Sequence, residues 1–270
     1  MKKEINIESI ENIKDKLSKI DDKGKKTRII RFIGSALGSI PWVGGFFGAS
    51  SDLHGEFEQG KINDLQKLWL EEHHRKIEEL AIAIFKIVEK IESSKIDYKA
   101  RIESEEYLSL VRKGFKEWDN SETTEKKEYI RKLLTNACAN TITTDDLIRL
   151  FIDWIRTYHE THFMVIKEIY KNTGITRGQI WNNLNPKQLK EDSVEADLYK
   201  LLIRDLSTGG IIRQHRETDY YGNFVKKTTK RTNSGTYKSA FDDIEPYVLT
   251  ELGKQFVHYT MEDVVTQIEK

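Results

Sequence analysis

The chain has 270 residues, 38% hydrophobic and 33% charged, so it holds one large domain or two ordinary ones with ample material for a core. Lys+Arg and Asp+Glu balance at 44 each, which excludes a partner chosen by net charge alone. A single cysteine, Cys138, excludes an intramolecular disulfide framework and a multi-thiolate metal centre, and fits a reducing cytoplasm.

With only three prolines among many Lys, Glu, Ile and Leu, helix is the expected dominant structure. The opening MKKEINIESIENIKDKL contains acids and has no apolar run, so no secretory signal is read there and a cytoplasmic start is expected. Ile5, Ile10, Ile13, Leu17 and Ile20 predict a short amphipathic helix over 5–20, which DDKGKK (21–26) is expected to break. Lys23, Lys25, Lys26, Arg28 and Arg31 then form a basic cluster with no acid between them. Residues 1–31 therefore read as an amphipathic basic leader.

From Phe32 to Ser51 no residue is charged. Gly34, Gly38, Gly44, Gly45 and Gly48 punctuate this stretch, Pro41 divides it, and Phe32, Trp42, Phe46 and Phe47 supply aromatic surface. As a continuous helix it spans about 30 Å, the thickness of bilayer hydrocarbon. Phe32, Ile33, Leu37, Ile40, Val43, Phe46 and Phe47 favour insertion by roughly 2–4 kcal/mol, and the glycines, Pro41 and serine hydroxyls offset that to near zero. A stretch so balanced is no permanent anchor; it is expected to insert only where neighbours add contacts. Gly34-x-x-x-Gly38 and Gly44-x-x-x-Gly48 are spaced for close helix pairing, and the basic cluster suits anionic lipid headgroups. A buried core hairpin, with glycines chosen for tight packing, is the competing reading. Residues 32–52 are accordingly a membrane-insertion and oligomerisation candidate.

Residues 53–156 read as a helical domain. Leu70, Ile77, Leu80, Ile84, Ile87 and Ile91, with His73 filling the gap, make a heptad seam. After a loop at 93–97, helices are predicted over 107–118, after the cap chemistry of 121–125, and after TTDD (143–146), where Leu147, Leu150, Phe151, Trp154 and Ile155 form the apolar face. Residues 157–270 change character. Helices over 161–174, 176–184 and 195–213, the last stopping at Gly209-Gly210, lead into β-favouring residues around polar turns at 219–223 and 232–235. A strand-like lead into a final helix (247–261) closes the pattern. The expected fold is mainly α: an N-terminal helical bundle with a Gly-rich apolar segment, then an α+β domain.

LYKLLIRDLSTGGIIRQ (198–214) and the closure Leu249-Thr250-x-x-Gly253-x-x-Phe256 resemble the third helix, first wing strand and end of a winged-helix domain. In that resemblance the wing carries Arg213, Arg216, Lys226, Lys227, Lys230 and Arg231, with Lys238 nearby, against Glu217 and Asp219. This is a basic footprint for nucleic acid or another partner. Glu195, Asp197 and Asp205 on the presumed recognition helix oppose Lys200 and Arg204, so a protein partner is preferred to sequence-specific DNA.

No phosphate-loop, zincin or nucleophile-elbow motif occurs, so no catalytic residue, metal ligand or cofactor is nominated and no enzyme activity is expected. His159 and His162 are half a metal site at most, and a structural pair is the preferred reading. The same holds for His73-His74, for Asp145-Asp146 as a helix cap, and for Cys138 as a buried thiol.

A helical body with a Gly-rich apolar segment and a winged-helix-like tail is similar in layout to bacterial abortive-infection proteins of the Abi-alpha type and to small helical pore formers of mobile elements. The resemblance implies a dormant cytoplasmic protein that senses a phage component, in some families a ring-shaped assembly. It would then oligomerise in the inner membrane against anionic lipids and form a pore there. The alternative is a winged-helix DNA-binding transcriptional regulator, with 32–51 as core or dimer interface.

Overall fold

The computed structural model describes residues 23–45, 64–93, 98–139, 143–184, 190–221, 223–225, 241 and 245–262, with backbone alone at 23, 25, 64–71 and 92–93. The chain is mainly helical, with a single two-stranded sheet among the described residues. It divides into two units, Met1–Thr157 with Tyr259–Lys270, and Tyr158–His258.

In the first unit, α1 (Lys23–Gly38) opens the described chain, so the break expected over 21–26 does not extend past Lys23. Lys and Arg are good helix formers, and the lone Gly24 does not interrupt them. The helix α2 (Asp64–Ser93) buries Ile77, Leu80, Ile84, Ile87 and Ile91, the predicted seam, against α5 (Thr124–Ala139). Between them in sequence lie α3 (Lys99–Glu103) and α4 (Glu105–Asp119), and Ser104 caps α4 by accepting the Tyr107 N–H at 3.3 Å. Helix α5 is the buried centre of this unit, touching α2, α4 and α6 (Asp145–Thr157). Where α4 crosses α5, a Cβ on Gly114 would stand 3.0 Å from the Leu134 methyls, so the glycine sets the approach of the two helices.

The buried stripe of α6 is Ile148, Phe151, Ile152, Trp154 and Ile155. Leu147 and Leu150 are only half-buried, so the face is rotated from the predicted one toward Ile148 and Ile152. Apolar residues on both flanks of a helix leave the choice of face to the neighbours, here α4 and α5. Asp145 and Asp146 occupy the first turn of α6, where carboxylates favour the helix dipole. Asp145 also pairs through both oxygens with the Arg101 guanidinium of α3.

The second unit packs α8 (Arg177–Leu184) and α9 (Val194–Thr208) on α7 (Glu160–Lys171). Ser193 caps α9 by accepting from the Ala196 N–H, and the helix gives way to Gly210 at φ 77°, a left-handed position glycine adopts without strain. The chain turns there into β1 (Ile212–Gln214), which pairs antiparallel with β2 (Tyr247–Leu249): Ile212 faces Leu249, Arg213 Val248 and Gln214 Tyr247. Thr218 and Phe224 bridge across a turn in which Asp219 accepts from the N–H groups of Tyr221 and Asn223, where a polar turn was predicted.

The Leu249-Thr250-x-x-Gly253-x-x-Phe256 stretch is a set of fixed contacts. Thr250 donates its hydroxyl to Gly210 O (2.6 Å) and accepts the Gly253 N–H (2.9 Å), opening α10 (Glu251–Met261). A Cβ on Gly253 would stand 2.1 Å from Ile211 O, so only glycine fits. Phe256 stacks on Phe163 of α7.

Candidate functional site

The basic cluster and the start of the apolar stretch form one continuous helix, α1, with a break at 39–40 and a further helical turn over 41–45. Ser39 donates its hydroxyl to Ala36 O at 2.7 Å as the helix ends. Pro41 stands first in the new turn, where its missing N–H is no loss.

Two stripes run along this segment. Ile29, Phe32, Ile33, Ala36, Ile40 and Val43 are buried, and α1 packs chiefly on α4 and α3, with a smaller contact to α2. Phe32 is fully buried and stacks on Tyr107 of α4, centroids 6.3 Å apart. On the opposite side Thr27, Arg31, Gly34, Gly38 and Pro41 are exposed, as are Gly44 and Gly45. A Cβ added at Gly34, Gly38, Gly44 or Gly45 meets nothing within 4 Å. Among the described residues, these glycines therefore do not serve close packing inside the fold, unlike Gly114 and Gly253.

Trp42 fastens the second half of the segment. Its indole Nε1–H is shared between both Asp119 carboxylate oxygens at 2.9 Å, at the end of α4. Its ring meets His73 of α2 edge-on at 4.9 Å, with the Lys76 ammonium 5.9 Å from the centroid. Lys26 and Arg28 are half-buried and Arg31 exposed, so the described cations do not share one face. Phe46, Phe47 and Gly48, and the side chains of Lys23 and Lys25, lie outside the described residues. No helix among the described residues is long and apolar enough to cross a membrane.

The structural readings given to the other polar residues have concrete geometry. His162 is buried, its Nδ1 accepts the His159 backbone N–H at 3.1 Å, and burial holds its pKa below the ordinary histidine value against the opposing pull of Asp205. His74 faces Glu78 one turn on, at 3.4 Å. Cys138 is buried and its thiol is pushed up to about 12 by desolvation, so the nucleophilic thiolate is suppressed at neutral pH.

In the second unit Arg213 and Arg216 sit over the Phe224 ring, at 4.8 and 5.7 Å from its centroid. Lys226, Lys227, Lys230 and Arg231 lie outside the described residues. The recess beside the two arginines is also lined by Arg177 and Arg204. Arg177 was not singled out from the sequence, because only the fold brings the start of α8 to Tyr247 of β2, where its Nε donates to the phenol oxygen at 2.8 Å.

Compared with protein-family models, curated proteins and solved structures, the chain matches none.

Proposed function

We propose that the protein is an antiphage abortive-infection effector: dormant in the cytoplasm, it oligomerises on sensing a phage component and carries residues 32–51 into the inner membrane to form a pore. The observation that carries this reading is the two-sided segment. Its apolar edge docks on the helical body, while Gly34, Gly38, Gly44 and Gly45 meet nothing among the described residues. Glycines lower the stability of a soluble helix by about 1 kcal/mol each relative to alanine, and packing among the described residues gives these no reason. Close pairing of segments from several copies in lipid supplies one.

The energetics are compatible with a switch. Lipid offers the buried stripe the same apolar surroundings as α4 does, so the two states differ by the polar fastening of Trp42 and by helix pairing. A trigger needs to shift that balance by only a few kcal/mol. Arg31, exposed beside Gly34, suits an anionic headgroup at the entry side. The test is cell fractionation before and after phage challenge. A move of the protein from cytosol to inner membrane is expected, and persistence in the cytosol while the infected cells die contradicts the reading.

A second reading is supported by the second unit, whose three helices, antiparallel strand pair and closing helix suit a winged-helix domain with Arg213 and Arg216 on the wing. In that reading the protein is a DNA-binding transcriptional regulator. Salt-dependent duplex binding that is lost on Lys226/Lys227/Lys230→Ala favours it.

A further inference from the structure

We infer that the recess between α8, α9 and the strand pair in the second unit is a binding site for a small phosphorylated ligand, a free nucleoside phosphate. The inference concerns unit Tyr158–His258 alone and does not rest on the membrane reading.

The recess encloses about 530 Å³, within the range of small-ligand sites. Four arginines line it: Arg177 at the start of α8, Arg204 near the end of α9, Arg213 in β1 and Arg216 just after it. Ser207 and Thr208 line it too, and among the described residues no carboxylate does. Like charges gathered on one concavity repel one another, and a bound polyanion removes that repulsion while taking up the fork donors.

Among the described residues Arg177, Arg213 and Arg216 pair with no carboxylate, and Arg204 has only a long ion pair. Arg177 donates to the Tyr247 phenol oxygen and lies over its ring, which positions the guanidinium without cancelling its charge. The Nη1 of Arg213 is buried and has no hydrogen-bond partner among the described residues, a donor whose burial is unfavourable until an acceptor arrives. Arg204 Nε stands 3.7 Å from Asp205 Oδ1, a residue outside the lining, which is an ion pair too long for a hydrogen bond. Phosphate oxygens supply an acceptor for Arg213 Nη1 and a closer anion than Asp205 for Arg204.

The second half of the ligand follows from Phe224. Its ring is about half-exposed (49%) and already carries two planar cations, so it offers a flat apolar surface next to the phosphate donors. A nucleobase is the common planar group attached to phosphate that uses both arginine planes and an aromatic face. A duplex is disfavoured by the neighbouring surface. The exposed face of α9 ahead of Arg204 presents Glu195 and Asp197 with Val194, Leu198 and Leu201, which opposes a phosphate backbone laid along it.

Titration calorimetry of the full chain at physiological salt tests this, with ADP, ATP, pyrophosphate, a short duplex and a short single-stranded oligonucleotide as the probes. ADP or ATP is expected to bind. Arg204→Ala and Arg216→Ala, both at exposed side chains, are each expected to weaken binding about tenfold with an unchanged melting temperature. Absence of nucleotide binding by the folded protein overturns the proposal, as does binding unaltered in both variants. Pyrophosphate binding as tightly as ADP overturns the nucleoside part. Tighter binding to either oligonucleotide, falling steeply with salt, replaces the small ligand by nucleic acid.

Discussion

Glycines carry two opposite meanings in this chain, and the backbone around each one separates them. Gly253 is fixed by Ile211 O, and Gly253→Ala is expected to destabilise the protein by about 1–3 kcal/mol through overpacking. Gly34, in the middle of α1, meets no described residue, so Gly34→Ala is expected to stabilise the folded protein by about 1 kcal/mol. Denaturant unfolding of the two variants measures both signs, and a destabilised Gly34→Ala would mean that the glycine edge is packed after all. His162 gives a pH signature. Its folded pKa lies below the unfolded value of about 6.5, so the unfolded chain binds more protons in the window beneath that value. Stability is full above about pH 6.5 and is lost as pH falls toward the folded pKa. His162→Asn is expected to flatten the fall in melting temperature across that window, with Tyr158, His159 and Asp205 still around the site. An unchanged slope in the variant contradicts the assignment. At this scale the closure stretch 249–256 stood out as a pattern of residue types, although its Thr, Gly and Phe answer to Gly210, Ile211 and Phe163 far along the chain. Arg177 did not, since its role depends on a tyrosine 70 positions along the chain.

Periodicity identified most helices, because their apolar stripes recur at the spacing a packed helix needs. The Ile77–Ile91 seam is such a case. Periodicity did not name partners. The apolar segment carries no sign of its dock: α1 packs chiefly on α4 and α3, and Trp42 reaches across to His73 and Lys76 of α2. Every helix of the first unit offers a stripe, and nothing local says which stripe meets which. The change from basic to apolar composition between Arg31 and Phe32 is likewise invisible to the backbone, whose hydrogen bonds run through it from Lys23 to Gly38. Pro41 did mark a break, as the sequence suggested, because it cannot donate to the preceding turn. Among the described residues the segment is thereby two helical pieces. The first is held by the Phe32–Tyr107 stack and the second by the Trp42–Asp119 hydrogen bonds.

For the whole molecule we propose that this docking is a restraint and that the exposed glycines serve the state that follows release. Asp119 is the place to test it, because Asp119→Ala removes the acceptor from Trp42 without touching the segment itself. Losing a partly buried charge-assisted hydrogen bond weakens the dock by about 1.5–3 kcal/mol, enough to raise the undocked population by more than tenfold. The deciding measurement is dye leakage from vesicles of phosphatidylglycerol and phosphatidylethanolamine. Asp119→Ala is expected to cause leakage well above the unaltered protein, and adding Gly38→Leu and Gly44→Leu to it is expected to abolish the leakage while leaving the fold intact. Vesicles that stay sealed with folded Asp119→Ala, or leak equally with the leucine substitutions present, would contradict the account.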